Sequence, residues 1–95
     1  MPIFAVLSSL TDEGAKTLKD RPQRLKEVNE ELEKMGVKVL EQYVVLGDYD
    51  FLNIVEAEDA RTLAKALVDL LSRGTIRTVT YELIPVEEFL EKLRG

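Results

Sequence analysis

A six-residue stretch near the middle of the chain, Leu46 to Phe51, places the strongest constraint on the fold, because it joins two segments of strand-forming residues. The first segment runs from Val37 to Leu46 and the second from Phe51 to Ala57, and β-branched residues recur in both. Gly47 and its Asp neighbours suit the backbone of a tight turn. We therefore predict a β-hairpin at the centre of the chain.

The first third of the chain predicts one buried strand and a helical region that is interrupted once. Ile3 to Leu7 is apolar at every position, which is typical of a strand covered on both faces. Thr11 suits the N-cap of a first, short helix. A second helix is expected to restart at Asp20, which can cap it, and to run to Met35 before Gly36 ends it.

The second half of the chain predicts strand, helix, strand and a short tail helix. Asp59 suits the N-cap of a helix, and the apolar stripe of that helix consists of Ala60, Leu63, Ala64, Leu67, Leu70 and Leu71. A strand follows from Thr75 to Ile84, in which apolar and polar residues alternate. After Pro85, an amphipathic tail helix is predicted from the spacing of Val86, Phe89, Leu90 and Leu93.

The predicted order β-α-β-β-α-β, followed by a C-terminal helix, indicates a single α+β, ferredoxin-like domain over residues 1–95. Right-handed crossovers place both helices on one face of a four-stranded antiparallel sheet, in the order 4-1-3-2. Strands 1 and 3 are then central, which agrees with their apolar residues on both faces. Because soluble monomers rarely expose a contiguous apolar patch, we expect a second copy of the chain to cover the face without helices.

Composition excludes several classes of function. The formal net charge of −5 disfavours nucleic acid as a partner, because phosphates require a basic surface. The chain has no Cys and no His, which removes thiol chemistry, the usual general base and the commonest metal ligands, so we expect no metal and no cofactor. Without a signal peptide or a membrane-spanning segment, the expected location is the cytoplasm. The many Glu, Lys and Arg residues are a hint of a thermophilic source.

Four short motifs resemble those of the GYD-domain family, small stand-alone prokaryotic proteins named for a Gly-x-Tyr-Asp hairpin. In chain order they are Leu10 to Lys16, Asp20 to Pro22, Gly47 to Phe51 and Gly74 to Thr78. The resemblance implies a dimeric α+β barrel, in which two ferredoxin-like sheets pack face to face. It implies no established activity.

The second half of the chain is also similar to the effector domain of Lrp/AsnC-type transcription regulators. In that domain a similar hairpin lies at a contact between dimers and helps to bind a small amino acid through its backbone. The similarity implies a site for a small polar ligand, such as an amino acid, near Gly47 to Asp50. This chain has no helix-turn-helix domain, and its first helical region is longer and is broken near Asp20.

The candidate residues for ligand binding or subunit contact are Gly47, Asp48, Tyr49, Asp50 and Arg77. The two carboxylates can face an amine or the fork of Arg77, or they can act only within the turn. Two carboxylates alone do not fill the oxygen shell of a metal ion. Gly47 is a candidate for a backbone conformation that a Cβ disfavours.

Two hypotheses from different classes follow from these observations. The first, which we favour, is a non-enzymatic, oligomeric small-molecule-binding or regulatory module. The alternative is a small cofactor-independent enzyme of the dimeric α+β barrel type, acting in the cleft between helices and sheet. A closed cavity lined by Tyr43, Tyr81 and an acid would favour the enzyme. A purely structural assembly protein is a further possible interpretation.

Overall fold

The computed structural model describes all 95 residues and contains four strands and four helices. In chain order they are β1 (Ile3–Leu10), α1 (Asp12–Asp20), α2 (Arg24–Lys34), β2 (Val37–Val44), β3 (Phe51–Ala57), α3 (Ala60–Leu71), β4 (Ile76–Leu83) and α4 (Val86–Arg94). The strands form one antiparallel sheet in the order β2-β3-β1-β4. This is the predicted ferredoxin-like fold, since 2-3-1-4 is the order 4-1-3-2 read from the other edge.

The helices pack on one side of the sheet, which we call the helix side. Phe4 and Val6 of β1 and Val55 of β3 point to this side and are at most 5% exposed. The residues from the helices that join them in the core are Leu32 of α2 and Leu63, Ala66 and Leu70 of α3. Burial of these side chains is the main source of stability that holds the helices on the sheet.

Two predicted N-caps hold their helices as expected. Oγ1 of Thr11 accepts a hydrogen bond from the backbone N–H of Gly14 at 3.1 Å. Oδ1 of Asp59 accepts one from the N–H of Thr62 at 2.8 Å. Each bond satisfies a backbone donor that the first turn of a helix leaves free. Both caps therefore mark their helix starts correctly.

The break between the first two helices differs from the prediction. Asp20 is the last residue of α1 and does not cap α2, whose N-cap is Gln23 without a side-chain bond. Arg21 leaves the helical region, with φ −137° and ψ 74°. Because Arg21 precedes Pro22, the proline ring disfavours the helical conformation at that residue. The interruption therefore comes from Pro22 and not from a new cap.

The central hairpin is wider than predicted. β2 ends at Val44 and not at Leu46, so the loop before β3 comprises residues 45–50. The N–H of Val45 donates to the carbonyl oxygen of Asp50 at 2.8 Å and closes the loop. The register of β2 also shifts between Val39 and Glu41. Such a bulge is common in an edge strand, and β2 lies at the edge of this sheet.

Apolar side chains remain exposed on two surfaces. The side of the sheet opposite the helices, which we call the open face, carries Ile3, Ala5 and Leu7 of β1 together with Leu52 and Ile54 of β3, all half-buried. The predicted tail helix α4 forms, but none of its residues is buried. The stripe of α3 also differs from the prediction, since Ala60, Ala64 and Leu71 are exposed while Ala66 is buried. None of the helices is long and apolar enough to cross a membrane.

Candidate functional site

Asp50 joins the hairpin loop to the far end of β1. Its Oδ2 accepts a hydrogen bond from the backbone N–H of Leu10 at 2.8 Å. Its own N–H donates to the carbonyl oxygen of Ser8 at 2.8 Å. A carboxylate that accepts a backbone N–H makes a stronger bond than a neutral acceptor does. Asp50 is therefore occupied in holding the loop against the sheet.

The tip of the loop, from Leu46 to Asp48, faces solvent. Gly47 and Asp48 are exposed, Tyr49 is half-buried and Leu46 is 98% exposed. Gly47 is not among the glycines with positive φ, which are Gly36 and Gly74. A Cβ added at Gly47 would meet only Cγ1 of Val45, at 3.8 Å. The expectation that Gly47 needs a special conformation is therefore wrong, because a six-residue loop reverses the chain without a positive φ at this residue.

Arg77 lies near the same end of the sheet as the loop. It belongs to β4 and pairs with Ser9 of β1, next to Leu10, whose N–H is bound by Asp50. Its side chain is exposed, and it takes part in none of the ion pairs of the chain. The structure thus brings Arg77 and the loop to one end of the sheet without a bond between them.

Two of the other motifs meet at that end, where β1 leads into α1. The N–H of Thr11 donates to the carbonyl oxygen of Thr75 at 3.0 Å, and its Oγ1 donates to the carbonyl oxygen of Gly74 at 2.8 Å. Gly14 is buried against this contact, and a Cβ there would overlap the carbonyl oxygen of Thr75. The motif glycine is therefore required for the close approach of two backbones.

A cavity of about 260 Å³ lies between the helix side of the sheet and the helices α1, α2 and α3. Eight of its 17 lining residues are hydrophobic, and its polar lining includes Ser8, Asn29, Gln42 and Asn53. Its lining contains no Asp, Glu, Lys or Tyr. Tyr43 and Tyr81, expected to line an enzymatic cleft, lie outside it and are 50% and 55% exposed. The cavity thus lacks the acid and the tyrosines that would favour the enzyme alternative.

Two arginines that line this cavity share one carboxylate. Glu31 accepts from Nη1 of Arg24 at 2.8 Å and from Nη1 of Arg73 at 2.5 Å. The hydrogen bond from Arg24, with a second from Arg73, lowers the pKa of Glu31 below its ordinary value of 4.5. Asp69 and Glu27 also bind these arginines, at 2.7 and 3.2 Å. The positive charges beside the cavity are therefore balanced by acids.

Sequence reasoning considered a cleft between helices and sheet but named none of the residues that line this cavity, although one signal pointed to them. Asn53 is the only polar residue in the otherwise apolar run from Phe51 to Val55. In the structure its Oδ1 is buried without a hydrogen-bond partner. Such a residue in a central strand indicates a polar environment inside the fold, because unpaired polar groups are rarely buried.

The fold, the hairpin loop and the cavity together define a class of protein. It is a ferredoxin-like α+β protein with an open sheet face and with no Asp, Glu, Lys or Tyr in the lining of its cavity. The model of the GYD domain matches residues 4–93, and the chain therefore belongs to the GYD domain family. A protein of Thermus thermophilus named "Glutamine synthetase and cystathionine beta-lyase binding protein" is 57% identical over 95 residues. The match covers 99% of this chain and 100% of that protein.

Solved structures share the fold at lower identity. MtbAldR superposes with a TM-score of 0.65 at 19% identity, over 88% of this chain and 52% of its own. This chain thus spans about half the length of MtbAldR. A further Thermus thermophilus protein has a TM-score of 0.58 at 24% identity, over 90% of this chain and 95% of its own. FFRP-DM1 has a TM-score of 0.58 at 26% identity and is covered completely by 88% of this chain.

Proposed function

We propose that this chain is a non-catalytic, oligomeric binding module that docks on metabolic enzymes, with glutamine synthetase and cystathionine beta-lyase as the first candidates. The observation that carries the proposal is the full-length, 57% identity to a Thermus thermophilus protein named for binding those two enzymes. The alignment leaves no additional domain in that relative to account for the binding. Its binding surface therefore belongs to a domain of this size and type.

The open face supports a role in association. Its exposed aromatic residues, Tyr43 and Tyr81, surround the half-buried apolar residues of β1 and β3. Aromatic side chains are enriched at protein interfaces relative to the rest of the surface. We infer that a second copy of the chain covers this face, because burial of apolar area contributes roughly 25 cal/mol per Å² to association.

The tail helix supplies a second apolar surface. Val86, Phe89 and Leu93 of α4 are 67%, 52% and 68% exposed. An amphipathic helix that buries no side chain in its own chain is stabilised by packing against another. We infer that α4 packs on a neighbouring chain, of the same or of a partner protein.

The hairpin loop is proposed as a contact at the rim of the assembly. Leu46 and Asp48 extend into solvent, whereas Asp50 is held by Leu10. Within the predicted site of Gly47, Asp48, Tyr49, Asp50 and Arg77, the groups open to a subunit or a small polar ligand are therefore Asp48, Tyr49 and Arg77. Titration calorimetry against a panel of amino acids tests the ligand role. If no amino acid gives a binding heat, only the role as a subunit contact remains.

The central experiment is sedimentation velocity of the purified chain, alone and with glutamine synthetase or cystathionine beta-lyase of the same organism. We expect the chain alone to sediment as a dimer or larger species at micromolar concentration. We also expect it to co-sediment with at least one of the two enzymes. A monomer that binds neither enzyme would defeat the proposal.

Three variants locate the surfaces. Tyr81→Asp places a charge on the open face, and truncation after Pro85 removes α4. Val68→Asp is the matched control, because Val68 is 65% exposed on the outer side of α3. We expect the first two to reduce self-association or enzyme binding, while the control behaves as the wild type. Equal effects of Tyr81→Asp and Val68→Asp would contradict the role of the open face.

A further inference from the structure

The cavity on the helix side carries an inference that is independent of the surfaces above. It lies on the opposite side of the sheet from the open face, and its volume is about 260 Å³. Ligand sites for drug-sized molecules begin at roughly 300 Å³ and are mostly apolar with a few placed polar groups. This cavity therefore has the composition of a ligand site and room for a smaller molecule.

Asn53, which lines the cavity, carries an acceptor without a partner. Asn53 of β3 lies opposite Val6 of β1 on one side and Gln42 of β2 on the other. Its Oδ1 is sealed from solvent and accepts no hydrogen bond. Gln42 does not supply one, because its amide is paired with Asn29 through two bonds, at 3.0 and 3.3 Å. A turn of the side-chain amide would bring this oxygen to the cavity, where a donor from a bound molecule would satisfy it.

Backbone contacts hold together the segments at one end of the cavity. Gly14, Leu10 and Thr75 line it, and the N–H of Thr11 binds the carbonyl oxygen of Thr75. Asp50 holds the N–H of Leu10 from the other side. These contacts join three of the four motifs at one end of the cavity. These contacts fix the backbone at the end of the cavity where Gly14 lies.

The charge around the cavity limits the kind of occupant. Arg24 and Arg73 are the only charged residues in its lining, and both are bonded to Glu31. Asp69 and Glu27 add further negative charge beside them. With its arginines already paired, the cavity offers no free cation to an anionic ligand.

We propose that this cavity is a binding site for a small, neutral, mostly apolar molecule that donates one hydrogen bond to Oδ1 of Asn53. Such a molecule fills the apolar lining and satisfies the oxygen at the same time. The proposal does not depend on enzyme binding, and either one can fail without the other.

The test uses two probes of the same shape, indole, which has one N–H donor, and indene, which has none. Both are titrated into the ¹⁵N-labelled full-length protein and followed by ¹H–¹⁵N NMR. We expect indole to shift the side-chain amide of Asn53 and the backbone amides around the cavity. We expect it to bind about fivefold more tightly than indene, which corresponds to one neutral hydrogen bond.

Three variants separate the cavity from other sites. Asn53→Leu removes the acceptor and should abolish the preference for indole. Val28→Phe adds a ring to the lining of the cavity and should weaken both probes by about tenfold or more. Val68→Phe makes the same change on the exposed side of α3 and should leave both affinities unchanged. The spectra also report whether each variant is folded, so Val28→Phe decides the location if Asn53→Leu is unfolded.

Three results would overturn the proposal. If neither probe shifts the resonances around the cavity, the space holds only water. If indole and indene bind the wild type equally, Asn53 does not select the ligand. If Val28→Phe leaves both affinities unchanged, the probes bind elsewhere.

Discussion

The helix side and the open face are two surfaces of the same strands, yet they differ in burial. On β1, Phe4 and Val6 are 3% and 5% exposed, while Ile3, Ala5 and Leu7 between and beside them are only half-buried. The two sets are equally apolar, so hydrophobicity does not explain the difference. Helices α2 and α3 cover one side, whereas no element of the chain covers the other. An apolar strand face therefore indicates that another structural element must pack on it. The chain topology decides whether that element comes from the same chain.

The largest expected difference between the two faces comes from truncating adjacent residues of β1. Phe4→Ala leaves a cavity in the core and should lower the free energy of unfolding by about 3–5 kcal/mol. Ile3→Ala, on the open face, should lower it by only about 1 kcal/mol, because the side chain of Ile3 is partly exposed and lies outside the core. Urea denaturation at several protein concentrations measures both. Equal losses at low concentration would mean that the open face is covered within one chain.

Two glycines, one buried against another backbone segment and one in the exposed loop, should differ in the same way. Gly14→Ala forces a Cβ into the carbonyl oxygen of Thr75 and should cost about 2 kcal/mol or more. Gly47→Ala, in the exposed loop, should stay within about 0.5 kcal/mol of the wild type. Thermal and urea unfolding give both values. A large loss at Gly47 would show that the loop is confined by a neighbouring chain.

The two loop carboxylates should also differ in how much they contribute to stability. Asp50→Ala leaves the N–H of Leu10 without its acceptor and should cost about 1–2 kcal/mol. Asp48→Ala removes an exposed side chain and should change stability by less than about 0.5 kcal/mol. If Asp48→Ala leaves stability intact but alters assembly size in sedimentation, Asp48 serves a contact. The opposite ranking of the two stabilities would contradict the structural role given to Asp50.

The smallest effect is expected from the ion-pair cluster over the cavity. The pKa of Glu31 is lowered in the folded state, mainly by its bond from Arg24, so its contribution is complete above its ordinary pKa of 4.5. That contribution is lost as the pH falls through the lower, folded-state pKa. Glu31→Gln should therefore flatten the decline in stability at acidic pH, and the effect should shrink in high salt. Glu33→Gln, which lies on the same helix and takes part in none of the ion pairs, is the matched control.

Much of the fold was predictable from local patterns. Thr11 and Asp59 mark helix starts because a cap depends on a few adjacent residues. The central position of β1 and β3 was predictable because strands covered on both sides are apolar at successive positions. Pro22 and the loop at residues 45–50 were interpreted less well, since several backbone paths suit the same Asp, Pro and Gly residues.

The candidate site was predictable only in part. The motif residues are visible in the sequence, but the contact of Thr11 with Thr75 joins positions that lie far apart along the chain. The same holds for Asp50, whose carboxylate binds a backbone N–H 40 residues away. Only the tertiary structure shows that Asp50 is occupied while Asp48 is free to make a contact.

By itself the sequence determined the order of the elements, the caps that begin two helices and the two strands that must lie at the centre of the sheet. These follow from side-chain periodicity and short-range hydrogen bonding, which act over a few residues. The tertiary structure decided which face of the sheet is closed, why Gly14 has no side chain and where a cavity remains beside Asn53. Those features depend on how distant segments fit together, because packing is a property of the assembled core and not of any one segment.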